Sequence, residues 1–230
     1  MVYLIPSFLS EDAVETIPPY VLNAVKNCRV IFAENERTAR RFLKSMNKEI
    51  VIDDYEWHTI HKAEQEQINV FKQKIKEGKN IAIISEAGCP GIADPGQILV
   101  YEAQKLNVEI KPLVGPSSIL LALMASGLNG QRFGFHGYLP IDNFERIKKI
   151  KELEEESSKK KCTQIFIETP FRNNKMIETI LRNCKPSTQL CIAAELTSAN
   201  EWIKTKTMVE WQKEKIDLHK KPAIFLLRAL

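Results

Sequence analysis

Ser85-Glu86-Ala87-Gly88-Cys89-Pro90-Gly91-Ile92-Ala93-Asp94-Pro95-Gly96 is the stretch on which the reading of this chain turns. It follows the apolar run Ile81–Ile84 and precedes a helical pattern beginning near Gln97. Gly88, Gly91 and Gly96 with Pro90 and Pro95 make it a constrained loop rather than a flexible one. Gly88 and Gly91 let the backbone approach a ligand closely, so N–H and C=O groups at a strand's carboxyl end can hold a cofactor without a charged side chain. The plainer alternative is a long, inert turn. No Lys-Ser/Thr pair follows the glycines, and no GxGxxG follows the first apolar run, which removes most support for nucleoside triphosphate and dinucleotide sites.

Working outward, strand-length apolar runs recur at Val2–Ile5, Val30–Ala33, residues 50–52, Ile81–Ile84 and residues 108–110, separated by helical periodicity such as residues 63–77. That alternation predicts a mostly parallel sheet with crossover helices. Pro18-Pro19 open a helix running to about Lys26, and Gly78 reads as a helix stop. Val114-Gly115-Pro116-Ser117-Ser118 again joins a strand to a helix, with Ser117 or Ser118 as N-cap. An apolar helix over residues 119–126, closed by Gly127, and a strand over residues 132–135 follow. Residues 143–161 form a charged helix whose terminal lysines are largely neutralised by neighbouring glutamates, so a solvated face outweighs a phosphate contact. Thr163–Ile167, residues 189–193 and residues 223–227 read as buried strands, with a helix over residues 175–182 between the first two. The junction between domains falls near residues 113–115, giving domains 1–113 and 114–230, with a crevice between them lined by both loops.

With 44% hydrophobic and 27% charged residues in 230, the chain is globular. It has no run of about eighteen apolar residues, and Met1-Val2-Tyr3-Leu4-Ile5 reads as a first strand rather than a signal. The five cysteines are scattered, with no CxxC pair and no metal-ligand spacing, which points to reduced thiols in a cytosolic protein. A net charge of +4 is compatible with a phosphate-rich partner without demonstrating one.

Taken in order, Ala33-Glu34-Asn35-Glu36-Arg37, residues 85–96, Gly115-Pro116-Ser117-Ser118, Ala125-Ser126-Gly127-Leu128, Arg132-Phe133, Gly137-Tyr138-Leu139-Pro140, Glu168-Thr169-Pro170-Phe171-Arg172 and Ala194-Glu195-Leu196-Thr197 span nearly the whole chain. This ordered set resembles the tetrapyrrole methylase superfamily and, within it, the ribosomal RNA small subunit methyltransferase I family. The resemblance implies an α/β protein of two α/β domains of the tetrapyrrole-methylase type, with the cofactor cleft between them. It further implies a cytoplasmic homodimer, without membrane association or metal, that transfers a methyl group from S-adenosyl-L-methionine to a ribose 2'-hydroxyl of ribosomal RNA in the small ribosomal subunit. Carried over by position, cofactor contacts fall on Leu9, Gly88, Cys89, Pro90, Ile92, Ser117, Ser118, Ile167 and Ala194, largely through main-chain atoms. A methyltransferase acting on a small molecule such as a tetrapyrrole, or a cofactor-binding module without turnover, are the alternatives. The chain departs from the family pattern at Pro6-Ser7-Phe8-Leu9-Ser10-Glu11, at Asn35-Glu36-Arg37, at Tyr55-Glu56-Trp57-His58 and at Glu86-Ala87-Gly88-Cys89-Pro90.

Transfer from a sulfonium needs an in-line acceptor, and a hydroxyl acceptor also needs a base. Glu34, Glu36, His58, Glu86 and Glu195 each fall at or just past the end of a predicted strand, and Glu34, His58 and Glu86, with Arg37, form the catalytic set. A lone His beside aromatic residues is more often a packing residue. Arg37 and Arg172 suit forked hydrogen bonds to phosphate, against a surface ion pair as the plain alternative. Trp57 and Tyr55 suit either base stacking or the core. Cys89 lacks a partnered His in the sequence and reads as a small side chain beside the cofactor.

Overall fold

The computed structural model describes residues 1–60 and 64–229. The chain divides into two compact units, Met1–Ser117 and Ser118–Leu230. The first is built on five strands, β1 (Val2–Ile5), β2 (Val30–Ala33), β3 (Glu56–Thr59), β4 (Ile81–Ile84) and β5 (Ile110–Pro112), in the order β3-β2-β4-β1-β5. Every pairing is parallel. β2 and β4 are buried at every position, which is why they read as unbroken apolar runs.

Helices cover both faces. α1 (Tyr20–Lys26) and α2 (Glu36–Met46) pack Val21, Val25, Phe42 and Leu43 against Tyr3, Ile5, Ile31 and Ile84. α3 (Ile68–Lys76) and α4 (Gln97–Lys105) pack Phe71, Leu99 and Ala103 against Val2, Val30, Phe32, Ile81 and Ile83 on the other face. Connections leave β1 towards β2 and β4 towards β5 in opposite directions, so the point where the winding reverses lies between β1 and β4, where open parallel sheets hold their ligands. The helical pattern over residues 63–77 is realised as α3; its first residue, Ala63, lies outside the described residues.

The third strand is a correction. Residues 50–52 are not a strand: Ile50 is buried as a loop plug, and Ile52–Asp54 form a 3-10 turn, because consecutive aspartates disfavour a ladder. The strand is Glu56–Thr59, half-exposed at the sheet edge, so His58 lies within it rather than past its end.

The second unit carries β6 (Phe133–Tyr138), β7 (Thr163–Ile167), β8 (Gln189–Ala194), β9 (Trp202–Thr207) and β10 (Ala223–Arg228), ordered β6-β7-β10-β8-β9. This sheet is mixed: β6 and β7 are parallel, while β10 runs against both β7 and β8, and β9 against β8. The β8–β9 connection is too short for a crossover, which forces the antiparallel return. β9 went unread because its lysines break the apolar pattern; Lys204 and Lys206 on this edge strand also discourage pairing with another chain. Around the sheet lie α5 (Ser118–Ser126), α6 (Asn143–Lys160), α7 (Asn173–Asn183) and α8 (Met208–Trp211), over a core that includes Ile150, Phe166, Ile180, Trp211 and Phe225.

Candidate active site

Because the first sheet is wholly parallel, the carboxyl ends of β1, β2, β4 and β5 lie on one edge, and the loops leaving them meet there. Ser7 and Gly88 exchange two backbone hydrogen bonds, Ser7 N–H to Gly88 O at 2.9 Å and Gly88 N–H to Ser7 O at 3.1 Å. The Ser7 hydroxyl donates to Ser85 O at 3.0 Å. A β-carbon on Gly115 would overlap the Pro6 ring, so only glycine allows the β5 loop to lie against the β1 loop. Gly88, at φ +78°, has room for no more than van der Waals contact with Leu9 and Pro116 O. Gly91 N–H donates to Pro95 O at 3.1 Å, which closes the 91–95 turn.

Leu9, Gly88, Cys89, Pro90, Ile92 and Ser117 of the expected cofactor set thus belong to loops of the first unit's carboxyl edge, with Ile92 exposed and Gly88 and Pro90 buried. Cys89 donates weakly through Sγ to Pro116 O at 3.5 Å. Burial, and then the nearby Asp94, push its thiol pKa up, so it is not poised as a thiolate nucleophile. In the second unit, Ser118 opens α5, while Ile167 and Ala194 end β7 and β8 and pair with Ile224 and Ala223 on the strand between them. Those two therefore share one end of the second sheet.

The catalytic candidates divide. Glu34 follows β2 and is 9% exposed, and its carboxylate accepts the Glu86 backbone N–H at 2.8 Å. Asn35 caps α2 by accepting from Arg37 N–H at 3.0 Å, and its amide donates to Glu86 Oε1 at 3.5 Å. Glu34, Asn35 and Glu86 therefore form one cluster bridging the ends of β2 and β4. Arg37 is exposed in the first turn of α2, where the helix dipole already carries positive charge. Arg40 pairs with Glu36 and lies 5.2 Å over the Trp57 ring, and Arg41 pairs with Glu11 at 2.9 Å. His58 stands elsewhere: its ring stacks on Phe32 at 4.7 Å and hydrogen-bonds Glu56 at 2.9 Å. In the second unit Glu168 accepts Arg172 Nε at 2.9 Å and Nη2 at 2.6 Å, while Glu195 pairs with Lys221 at 3.2 Å.

Asp94 was quoted in the loop but given no role by the sequence. Burial first, then the Glu34 and Glu86 charges, raise its carboxyl from 3.8 to about 7. The available signal was its place two residues before Gly96, the N-cap of α4, which marks it as part of a fixed turn. Glu64 was also missed; it caps α4 by accepting Gly96, Ile98 and Leu99 N–H groups at 3.0, 2.8 and 3.2 Å.

A fixed glycine loop beside carboxylates and a buried Ser85 hydroxyl without a hydrogen-bond partner suits a small cationic ligand with hydrogen-bonding ends better than a polyphosphate. Among the described residues no cluster of His, Cys, Asp and Glu is arranged to hold a metal ion. Such a loop at the reversal point of a parallel sheet is where an open α/β unit takes a small ligand.

The profile of the tetrapyrrole (corrin/porphyrin) methylases matches residues 12–211. The ribosomal RNA small subunit methyltransferase I of Buchnera aphidicola subsp. Schizaphis graminum is 31% identical over 230 residues, covering 99% of this chain and 77% of the relative. The protein of the same name from Vibrio cholerae is 30% identical, covering 91% and 69%. Among solved structures, the methyltransferase CobJ superposes with a TM-score of 0.65 at 16% identity, covering 99% of this chain and 93% of that one, and so shares the fold. The chain belongs to the tetrapyrrole methylases and, within them, to the ribosomal RNA small subunit methyltransferase I family, and is a methyltransferase that uses S-adenosyl-L-methionine. The Gly88–Pro90 backbone and the acidic edge fit a donor that carries a sulfonium and an ammonium group.

Proposed function

We propose that the chain methylates a ribose 2'-hydroxyl of small-subunit ribosomal RNA, with S-adenosyl-L-methionine held by the loops of residues 85–96 and 114–118. The observation that carries this reading is the division of labour at one sheet edge. Asp94, a carboxylate whose pKa is raised by burial first and then by the Glu34 and Glu86 charges, stands in the fixed glycine loop, and Arg37, Arg40 and Arg41 line the neighbouring turn of α2. The relatives' names supply the class of RNA. Arginine forks at a helix N-terminus suit phosphates of a backbone, and a base with a pKa near neutrality suits a hydroxyl.

Bound there, S-adenosyl-L-methionine supplies an electrophilic methyl group. The protein's part is to orient the ribose, exclude water and take a proton. Leu9, Gly88, Cys89, Pro90, Ile92, Ser117 and Ser118 hold the donor, Arg37 holds phosphate, and Glu34 and Glu86 shape the charge at the acceptor. His58, occupied by Phe32 and Glu56, supports β3. The working form is a cytoplasmic homodimer, for which Leu120 and Met124, 53% and 79% exposed one turn apart on α5, offer an apolar contact.

The test is transfer of labelled methyl from S-adenosyl-L-methionine into small ribosomal subunits lacking the modification, with cofactor binding followed by calorimetry. Label on a ribose is the expected result. Binding without label in RNA refutes the acceptor and leaves the methyl donor standing.

A further inference from the structure

We propose that Phe171 is a platform on which an unpaired base of the RNA substrate stacks, with Lys175 and Lys220 taking the phosphates beside it. This assignment deepens the RNA reading proposed above and rests on it.

Phe171 is 71% exposed, although it belongs to a turn that is fixed from several directions. Ahead of it, the buried Glu168 accepts the Thr169 N–H at 2.6 Å and the Nε and Nη2 groups of Arg172. Pro170 has its φ set by its own ring, and its carbonyl accepts the Lys220 N–H at 3.1 Å. Past the turn, Asn173 Nδ2 donates to Lys221 O at 2.7 Å. The Asn174 side chain donates to Asp217 Oδ1 and accepts the Leu218 N–H, both at 2.8 Å. Residues 168–174 and 217–221 are thereby tied into one rigid surface, with the phenyl ring standing on it. A phenylalanine on a loose loop can fold down onto the protein. Here the backbone is fixed, and the ring stays in water.

The ring contact of Phe171 among the described residues is with His219, at 6.2 Å between centroids and 72° between planes, which covers at most one face. A lone exposed apolar side chain needs no explanation. A rigid aromatic side chain with an open face and cations beside it is how single-stranded RNA is held.

Charge decides the occupant. Residues 168–175 and 217–221 carry four basic side chains against two acidic ones, and His219 besides. Both acids are engaged, Glu168 by Arg172, and Asp217 by the Asn174 amide and the His219 N–H at 3.0 Å. Glu195, arriving from the end of β8, is paired with Lys221 at 3.2 Å. The ammonium groups of Lys175 and Lys220 have no partner among the described residues. α7 begins beside them without a side-chain cap, so its positive end adds to the same potential. A second copy of this surface would be repelled, and so would the cationic methyl donor. A polyanion that also carries flat bases gains from both features. The platform stands at the same end of the second sheet as Ile167 and Ala194, the donor contacts expected in this unit, since Ile167 ends β7 and Lys221 reaches Glu195 just past β8. The stacked base therefore belongs to a nucleotide near the one that receives the methyl group.

The experiment measures the affinity of unmodified small ribosomal subunits for wild type, Phe171→Ala, Phe171→Leu, Phe171→Trp and Lys220→Ala, with cofactor affinity, thermal midpoint, oligomeric state and methyl transfer followed for each. Phe171→Ala weakens subunit binding about tenfold. Phe171→Leu does the same, because it supplies bulk without an aromatic face, and Phe171→Trp keeps the wild-type affinity. Lys220→Ala lowers the slope of log affinity against log salt by about one. Cofactor affinity, thermal midpoint and oligomeric state stay as in wild type throughout. Subunit binding by Phe171→Ala within twofold of wild type, or by Phe171→Leu equal to wild type, overturns the platform alone. A Phe171→Ala protein whose oligomeric state or cofactor affinity changes while its RNA affinity holds also overturns it, and assigns the surface to a contact between copies or to the donor. A wild type that binds subunits but labels no ribose overturns the acceptor, and the platform is then judged by the binding series. A wild type that binds no subunits overturns both.

Discussion

A carboxylate stands just past a buried strand in each unit, and the two are handled in opposite ways. After β7, Glu168 has a side chain 1% exposed, closed by the Arg172 fork and by the Thr169 N–H at 2.6 Å, with every charge compensated inside the cluster. After β2 and β4, Glu34 and Glu86 stand near Asp94, and both of their charges act to raise its pKa. The first arrangement holds a turn in place. The second leaves a proton loosely committed, which is what chemistry at a hydroxyl requires.

Arg172→Ala breaks the compensated side and has the largest expected effect, a loss of about 2–3 kcal/mol in stability, because Glu168 is left charged and buried; urea denaturation measures it, and a loss under about 0.5 kcal/mol would put Glu168 among solvated surface groups. Gly115→Ala tests the rigidity of the loop edge in the first unit. Its β-carbon meets the Pro6 ring, so a cost of about 2 kcal/mol and a weakened cofactor affinity are expected. If calorimetry finds the affinity unchanged, the β1 and β5 loops do not define the site together.

Asp94→Asn sharpens the contrast through pH. The folded pKa lies above the unfolded one, so the ionised carboxylate costs stability once pH exceeds the unfolded value of 3.8, and the cost levels off above about 7. Asn removes it, for a gain of about 1 kcal/mol at pH 8 after allowing for partial exposure, and none at pH 4. Thermal unfolding at the two pH values checks the sign. Arg37→Ala is the smallest change for the fold, under about 0.5 kcal/mol. Its effect is on RNA binding, where the slope of log affinity against log salt should fall by about one. An unchanged slope would place the RNA elsewhere.

Much of the fold was legible because β1, β2 and β4 of the first unit are largely buried and carry no charged interruptions. The α4 start at Gln97 and the apolar runs at β1, β2 and β4 follow directly from residue type. β3 was misplaced because burial of Ile50 imitates a strand, and β9 was missed because Lys204 and Lys206 hide the period of an edge strand. The candidate loop was legible from its glycines and prolines. The Asp94 environment was not, since it depends on Glu34 reaching across from a strand whose neighbour, β4, comes some fifty residues later. The Glu168–Arg172 pair, by contrast, sits at a spacing of four residues and could have been read as a local ion pair.

The Ser7–Gly88 bridge and the contact of Gly115 with Pro6 also bear on how the chain comes off the ribosome. β1 is made first yet sits between β4 and β5, so its loop has no lasting partner until those strands emerge. Folding of the first unit is therefore dominated by long-range closure, which is slow. The candidate donor-binding edge is complete only once β5 and its loop have emerged, and a nascent chain that ends before Gly115 lacks the Pro6 contact that brings the β1 and β5 loops together.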